Sequence, residues 1–119
     1  MAELQIDSQV VGGVPTIYLQ GELDSYSAPR VRNILDTLTE NQHPTVLIDM
    51  TGLEYIDSAG LGVLVAALKG VNDHDGALAI VGLTPAVARV FRVTGLDNLF
   101  MVCADIDDAH AKLAKALAA

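Results

Sequence analysis

The sequence contains a single cysteine, Cys103, so no internal disulfide can form. Cys103 lies in the apolar run LFMVC, which favours a buried structural thiol over a reactive one. The chain also lacks the run of about 18 apolar residues that a membrane span requires. Its first residues, MAELQIDSQ, have neither the positive start nor the apolar stretch of a signal peptide. We therefore expect a cytosolic protein without a membrane segment.

Basic residues are also scarce. Seven Lys and Arg residues stand against fifteen Asp and Glu residues, which gives a formal net charge of -8. Binding to phosphate backbones needs a basic stripe, and the sequence offers none, so neither nucleic acid nor an anionic membrane is an expected partner. An acidic surface fits either a protein partner with a basic face or a role in solubility alone.

Aromatic residues make up only 4% of the chain, whereas hydrophobic residues reach 51%, so the expected core is almost entirely aliphatic. A length of 119 residues is typical of one domain. We find no linker, no low-complexity tract and no internal repeat. The sequence therefore predicts a single domain over residues 1–119.

The usual signatures of enzymes and metal sites are missing. His43, His74 and His110 have no set of converging ligands, and His74 in NDHDG is best explained by a solvated turn. The residue two positions before Ser58 is Ile56, whereas the nucleophile motif of hydrolases has glycine there. No glycine-rich nucleotide motif is present. We expect no catalytic residues, no cofactor and no metal.

The apolar pattern predicts strands that alternate with helices. LQIDSQVV and VPTIYLQ flank Gly12 and Gly13 and indicate a hairpin, in which Pro15 favours an edge or bulge position. TVLIDM, GALAIVGL and residues 99–103 are short apolar runs that indicate further strands, the first two of them buried.

Helical spacing separates these strands. It is carried by three groups of apolar residues and by an Ala-rich carboxyl-terminal segment: Val31, Ile34, Leu35 and Leu38; Leu61, Leu64, Val65 and Leu68; Val87, Val90 and Phe91; and Ile106, Ala109, Leu113 and Leu117. Thr84, Pro85 and Gly95 are typical start and stop signals of the third helix. The order β-β-α-β-α-β-α-β-α predicts an α/β fold with a mostly parallel sheet of about four to five strands and about four flanking helices.

The stretch DSAGLG, residues 57–62, interrupts this aliphatic pattern where a strand turns into a helix. Asp57 or Ser58 could cap that helix, a contribution of about 0.5 to 2 kcal/mol. A cap does not explain Gly60 and Gly62, each of which costs about 1 kcal/mol in a helix relative to alanine. Close packing could account for one of them, and bare backbone also suits the approach of another protein. A phosphate on Ser58 would be expected to meet unpaired amides at the helix start.

Three stretches together resemble a known family. GELDSYSAP at 21–29, VLIDMTGLEYIDSAGLGVLVAALK at 46–69 and RVFRVTGLDNLF at 89–100 are similar to the STAS-domain anti-sigma factor antagonists, bacterial regulators of partner-switching systems. The resemblance spans nearly the whole chain in order. It implies a STAS-type fold, regulation of transcription and no activity as an enzyme.

The resemblance also implies roles for individual residues. In this family the serine of D-S-x-G is phosphorylated by an anti-sigma factor that is itself an ATP-dependent serine kinase, and the unphosphorylated form binds that kinase and frees the sigma factor. Ser58 occupies that position, and Ala59 stands where many relatives have a second serine. The partner-binding set implied for this chain consists of Asp24, Asp57, Ser58, Ala59, Gly60 and Gly62. We also expect a phosphatase among the partners of this chain. The chain itself is expected to be a monomer or a weak dimer.

Two other functions stay open at this point. The chain could be a constitutive STAS module of a transport or signalling assembly, in which Ser58 only caps a helix. A small hydrolase that uses Ser58 is the third reading, although the residues around Ser58 do not favour it.

Overall fold

The computed structural model describes residues 3–118. Five strands and four α-helices follow one another in the predicted order, with one short 3-10 helix at Leu96–Asn98. The strands are β1 (Gln5–Val11), β2 (Val14–Leu23), β3 (Thr45–Ile56), β4 (Ala77–Val81) and β5 (Met101–Cys103). The helices are α1 (Ala28–Thr39), α2 (Ser58–Asp73), α3 (Pro85–Thr94) and α4 (Ile106–Ala118).

The strands form one sheet in the order β1-β2-β3-β4-β5. β1 runs antiparallel to β2, and the other neighbours are parallel, so the sheet is mixed and mostly parallel, as predicted. The hairpin turns at Gly12 and Gly13, both of which have positive φ. Pro15 lies in β2 opposite Val10, and pairing with β3 begins one residue later, at Thr16. The missing N–H of Pro15 therefore removes no hydrogen bond between β2 and β3.

The helices divide between the two faces of the sheet. α1, α2 and α3 pack with alternate residues of β3 and β4, such as Ile48 and Ile80, in the larger hydrophobic cluster. α4 packs on the opposite face, where Ala109 and Leu113 belong to one hydrophobic cluster with Leu47 and Ala79. β2, β3, β4 and β5 follow one another across the sheet as parallel neighbours. Right-handed crossovers between such strands place the connecting helices α1, α2 and α3 on one face, which explains why these three lie together.

Three details of the sequence prediction were wrong. β3 continues past TVLIDM as far as Ile56, because Gly52, Leu53, Tyr55 and Ile56 stay paired with β2. Val65 is 38% exposed, whereas Val63, Leu64 and Leu68 face the core. β5 is also shorter than residues 99–103, since it begins at Met101.

Cys103 is buried, as predicted from its apolar surroundings. Burial raises the pKa of its thiol above the usual value, which keeps it in the unreactive protonated form. None of the helices within residues 3–118 has the length and apolar character needed to cross a membrane.

Candidate functional site

Two Asp-Ser dipeptides lie side by side at the carboxyl edge of the sheet. β2 ends at Leu23 and β3 ends at Ile56, and these two residues are paired across the parallel strands. Asp24 and Ser25 follow the first strand, and Asp57 and Ser58 follow the second. Functional sites of open α/β sheets lie outside this edge. The motif GELD and the motif DSAGLG therefore meet in one place.

Asp57 is the residue that caps α2. Its backbone is extended, and its Oδ1 atom accepts hydrogen bonds from the amides of Ala59 at 3.0 Å and Gly60 at 3.1 Å. An aspartate in this position satisfies two of the amides that a helix start leaves unpaired. The choice between Asp57 and Ser58 as the cap is thereby settled in favour of Asp57.

Ser58 is the first residue of α2 and is exposed. Its hydroxyl forms no hydrogen bond with any group in residues 3–118. The side chain therefore has no structural task in the described part of the chain, and its oxygen is open to a reagent from solvent. This arrangement contradicts the reading in which Ser58 is the helix cap.

The same carboxylate of Asp57 connects the two halves of the site. Its Oδ2 atom accepts a hydrogen bond from the backbone amide of Ser25 at 3.2 Å, across 32 residues of sequence. The amide of Asp57 in turn donates to the carbonyl oxygen of Leu23 at 3.2 Å. The loop after β2 is thus held against the start of α2.

Asp24 shapes that loop. Its Oδ1 atom accepts hydrogen bonds from the amides of Tyr26 and Ser27, each at 3.0 Å. The hydrogen bond from the Ser27 amide is the main reason why the pKa of Asp24 lies below its ordinary value. Asp24 is therefore ionised at neutral pH, and its charge lies in the loop that Asp57 holds against α2.

The two glycines of DSAGLG have different roles. Gly60 is buried, and a Cβ atom there would lie 2.7 Å from Cγ of Leu23 and 2.9 Å from Cγ1 of Ile56. Gly62 is exposed, and nothing lies within 4 Å of the position of its missing Cβ. Gly60 therefore serves close packing of α2 on the strand ends. This corrects the expectation that it gives a partner access to the helix; that role remains open at Gly62.

A second expectation is also corrected. The amides of Ala59 and Gly60 are occupied by Asp57 and are not free for a phosphate on Ser58. A phosphate would instead stand beside the Asp57 carboxylate, which repels it. The helix start therefore stabilises the phosphate less than expected, and the phosphate projects into solvent or towards a partner.

Sequence reasoning missed the exposed residues of the loop after β2. The side chain of Tyr26 is 93% exposed, and Ser25 is exposed next to it. The exposed face of α2 continues from Ser58 through Gly62, Val65 and Lys69. An Asp-Ser dipeptide directly after each of β2 and β3 was the signal that could have directed attention to Ser25; a third, Asp7-Ser8, lies inside β1.

Two of the three histidines, His43 and His74, have ordinary local roles. Nδ1 of His74 lies 2.8 Å from the carbonyl oxygen of Gly70, and Nδ1 of His43 lies 3.2 Å from that of Asp75. Within residues 3–118, no three side chains of His, Cys, Asp or Glu lie close enough together to hold a metal ion.

Comparison with known proteins agrees with this geometry. The family model of the STAS domain matches residues 5–109. The anti-sigma-B factor antagonist of Listeria monocytogenes is 35% identical over 86 residues, which cover 72% of this chain and 75% of the relative.

Solved structures share the fold. That of an anti-sigma factor antagonist from Mycobacterium paratuberculosis is 26% identical with a TM-score of 0.83, and the match covers 93% of this chain and 94% of the other. The Bacillus cell fate determinant SpoIIAA in its phosphorylated form is 23% identical with a TM-score of 0.68, covering 92% and 98% of the two chains. At that identity the second match supports the fold alone.

Proposed function

Because the chain belongs to the STAS-domain family of anti-sigma factor antagonists, we propose that Ser58 is the phosphoacceptor through which it switches partners. In the unphosphorylated form the chain binds an anti-sigma factor that is also an ATP-dependent serine kinase, and a sigma factor is released. Phosphorylation of Ser58 weakens this complex. The chain itself performs no catalysis.

The observation that carries this proposal is the free hydroxyl of Ser58. Asp57 supplies the cap of α2, so the Ser58 hydroxyl is exposed and has no hydrogen-bond partner within residues 3–118. Modification of this oxygen breaks no intramolecular hydrogen bond there. Phosphorylation is therefore expected to change binding while leaving the fold intact.

Electrostatics gives the switch its direction. A phosphate adds about -1.5 to -2 charges at neutral pH, next to the carboxylate of Asp57, in a chain whose formal net charge is already -8. Asp24 lies in the loop that Asp57 ties to the helix start. Charges on a docked partner fall within the Debye length of about 8 Å, so acidic groups there are repelled, and the added bulk obstructs contact.

The docking surface follows from the exposed groups around Ser58. Gly62 and Val65 extend it along α2, and Tyr26 extends it over the loop after β2. Gly62 allows a partner to approach the helix backbone closely, because no side chain covers it. Asp24, Asp57 and Ala59 contribute the half-buried floor of this surface.

Several further properties belong to the proposal. The chain acts in the cytoplasm as a single domain over residues 1–119, as a monomer or a weak dimer. A separate phosphatase restores the binding-competent form. No cofactor, metal or nucleic acid takes part.

An affinity pull-down from the cells that make the protein tests this function. The tagged wild-type chain and Ser58→Ala are expected to retain a serine kinase, and Ser58→Asp is expected to lose it. Ser8→Asp, on exposed β1, is the matched control and should retain the kinase. Equal recovery with Ser58→Asp contradicts the switch, and recovery of a permease or transport ATPase instead supports a constitutive STAS module.

A further inference from the structure

We propose that Ser25 is a second phosphoacceptor, modified by the same serine kinase; this inference rests on the proposed function of Ser58. The sequence around Ser25 contains no D-S-x-G motif. What points to Ser25 is its place in the folded chain, where it is the counterpart of Ser58 on the neighbouring strand.

The sheet register brings the two serines together. Leu23 and Ile56 are paired across β2 and β3, and each serine lies two residues beyond one member of this pair. Adjacent strands run about 4.8 Å apart. The amide of Ser25 also donates to Oδ2 of Asp57 at 3.2 Å, so it touches the residue that immediately precedes Ser58. A kinase docked on this edge to reach Ser58 meets Ser25 on the same surface.

The backbone presents both serines in the same way. Oδ1 of Asp24 accepts from the amides two and three residues ahead at 3.0 and 3.0 Å, and Oδ1 of Asp57 does the same at 3.0 and 3.1 Å. The carbonyl oxygen of Asp24 accepts from the amide of Ala28 at 2.8 Å, and that of Asp57 accepts from the amide of Leu61 at 2.9 Å. Each serine therefore directly follows an aspartate that accepts the same pattern of hydrogen bonds, with Ser58 at the start of α2 and Ser25 in the turn before α1, so a kinase active site that accepts one meets a similar local hydrogen-bond pattern at the other.

The Ser25 hydroxyl is also available for reaction. Ser25 is exposed, and its hydroxyl forms no hydrogen bond within residues 3–118. Ser27, two residues on, offers the contrast: it is 5% exposed and its hydroxyl lies 3.1 Å from the carbonyl oxygen of Glu22. Exposure therefore separates Ser25 from its closest serine neighbour.

The chemistry is the one proposed for Ser58. The hydroxyl oxygen of Ser25 attacks the γ-phosphorus of ATP in the kinase, the bond from that phosphorus to the bridging β-γ oxygen breaks, and ADP leaves. The hydroxyl proton passes to a base of the kinase and then to water. The products are phosphoserine, ADP and a proton.

Charge disfavours two phosphates on the same chain. Two phosphates here would stand within a Debye length of each other and beside both Asp24 and Asp57, so a phosphate on either serine disfavours the second. Ser25 is thus expected to be modified mainly when Ser58 is not.

Phosphopeptide mass spectrometry on the full chain from its own cells tests this inference. Trypsin places the two serines on separate peptides, 1–30 and 33–69, because it cleaves after Arg30, Arg32 and Lys69, and neither peptide contains an earlier Lys or Arg. We expect phosphate on Ser58 in the wild type and phosphate on Ser25 that increases in Ser58→Ala. The mass of the undigested wild-type chain should show mainly one phosphate per chain, since digestion separates the two serines. Ser27 and Ser8 on the first peptide are internal controls and should stay unmodified.

The outcomes separate the two proposals. Phosphate on Ser58 of the wild type, with none on Ser25 of Ser58→Ala, overturns the second acceptor and leaves the proposed function intact. Phosphate on Ser25 with none on Ser58 supports the second acceptor and overturns Ser58 as the switch. Absence of phosphate from both serines overturns both. A cooperative unfolding transition of Ser58→Ala in urea is the check that the variant is folded.

Discussion

The Oδ2 atom of Asp57 accepts a hydrogen bond from the backbone amide of Ser25 at 3.2 Å, and this contact joins the segments that follow two neighbouring strands. Through its other oxygen the same carboxylate caps α2. One side chain therefore fixes both the helix that begins with Ser58 and the loop that carries Asp24 and Tyr26.

Replacement of Asp57 is expected to destabilise the chain. Asp57→Ala removes the helix cap, which is worth about 0.5 to 2 kcal/mol, and leaves the Ser25 amide without its acceptor. The free energy of unfolding in urea measures the loss. Asp57→Asn keeps an oxygen in the capping position and should lose much less; equal stability of the wild type and Asp57→Ala would show that the cap is unimportant.

The two glycines of the site should respond in opposite directions to alanine. Gly60→Ala forces a methyl group against Leu23 and Ile56 and should destabilise the fold by about 1 to 3 kcal/mol. Gly62→Ala meets open space within a helix and should stabilise it by up to about 1 kcal/mol. Gly60→Ala and Gly62→Ala are controls for each other when the free energy of unfolding is measured in urea. Destabilisation by Gly62→Ala would contradict the assignment of this position to the surface.

Gly62→Ala also tests the docking surface. Because its methyl group would project towards a close partner, the variant should bind the kinase more weakly although it is more stable. Calorimetry of the purified proteins measures this effect. Unchanged affinity would place the partner away from this part of α2.

Ionised Asp24 should make stability depend on pH. Hydrogen bonds from the loop amides lower the folded pKa of Asp24 below 3.8, so its contribution is complete well above pH 3.8. That contribution is lost as the pH falls through 3.8 and the lower folded pKa. Asp24→Asn keeps an acceptor oxygen but does not titrate. Its urea midpoint should therefore fall less between pH 6 and pH 3 than that of the wild type, and identical pH profiles would contradict this role.

Cys103 should be inert in the folded chain. It is buried, and burial raises the pKa of its thiol. Ellman's reagent at neutral pH should react slowly with the native protein and at once in concentrated urea. Immediate reaction of the native protein with one equivalent of reagent would show that the thiol is accessible.

Much of the fold was predictable because its signals are local. The spacing of Val87 and Phe91, the capping Thr84 and the stop at Gly95 identified α3 from a few neighbouring residues, and Gly95 does adopt positive φ. The last residues of β3 gave no such signal, since Thr51, Glu54 and Tyr55 are exposed. This segment is a strand because Gly52, Leu53, Tyr55 and Ile56 pair with β2. The sequence analysis placed Val65 on the buried face of α2 because this helix is apolar around most of its circumference.

The site was predictable in part for the same reason. DSAGLG is a continuous motif, and the sequence identified it as the place where a strand becomes a helix. The sequence could not assign the cap between Asp57 and Ser58, because both residue types occupy that position in helices. The roles of Ser25 and Gly60 depend on which strand ends lie side by side, and only the folded sheet provides that information.

Ser58→Ala should leave stability unchanged within about 0.5 kcal/mol, because the hydroxyl makes no hydrogen bond within residues 3–118. The matched variant Ser27→Ala removes a buried hydroxyl that is hydrogen-bonded and should destabilise the chain. A large loss of stability in Ser58→Ala would mean that this serine has a structural task.

The most direct test of the account compares the affinity of the kinase for two forms of the full chain, unphosphorylated and phosphorylated on Ser58, by calorimetry. We predict a Kd that is about 5- to 150-fold higher for the phosphorylated form, which corresponds to a coupling free energy of about 1 to 3 kcal/mol. The same Kd for both forms would contradict the switch, because a phosphate at the centre of the docking surface would then have no effect on binding.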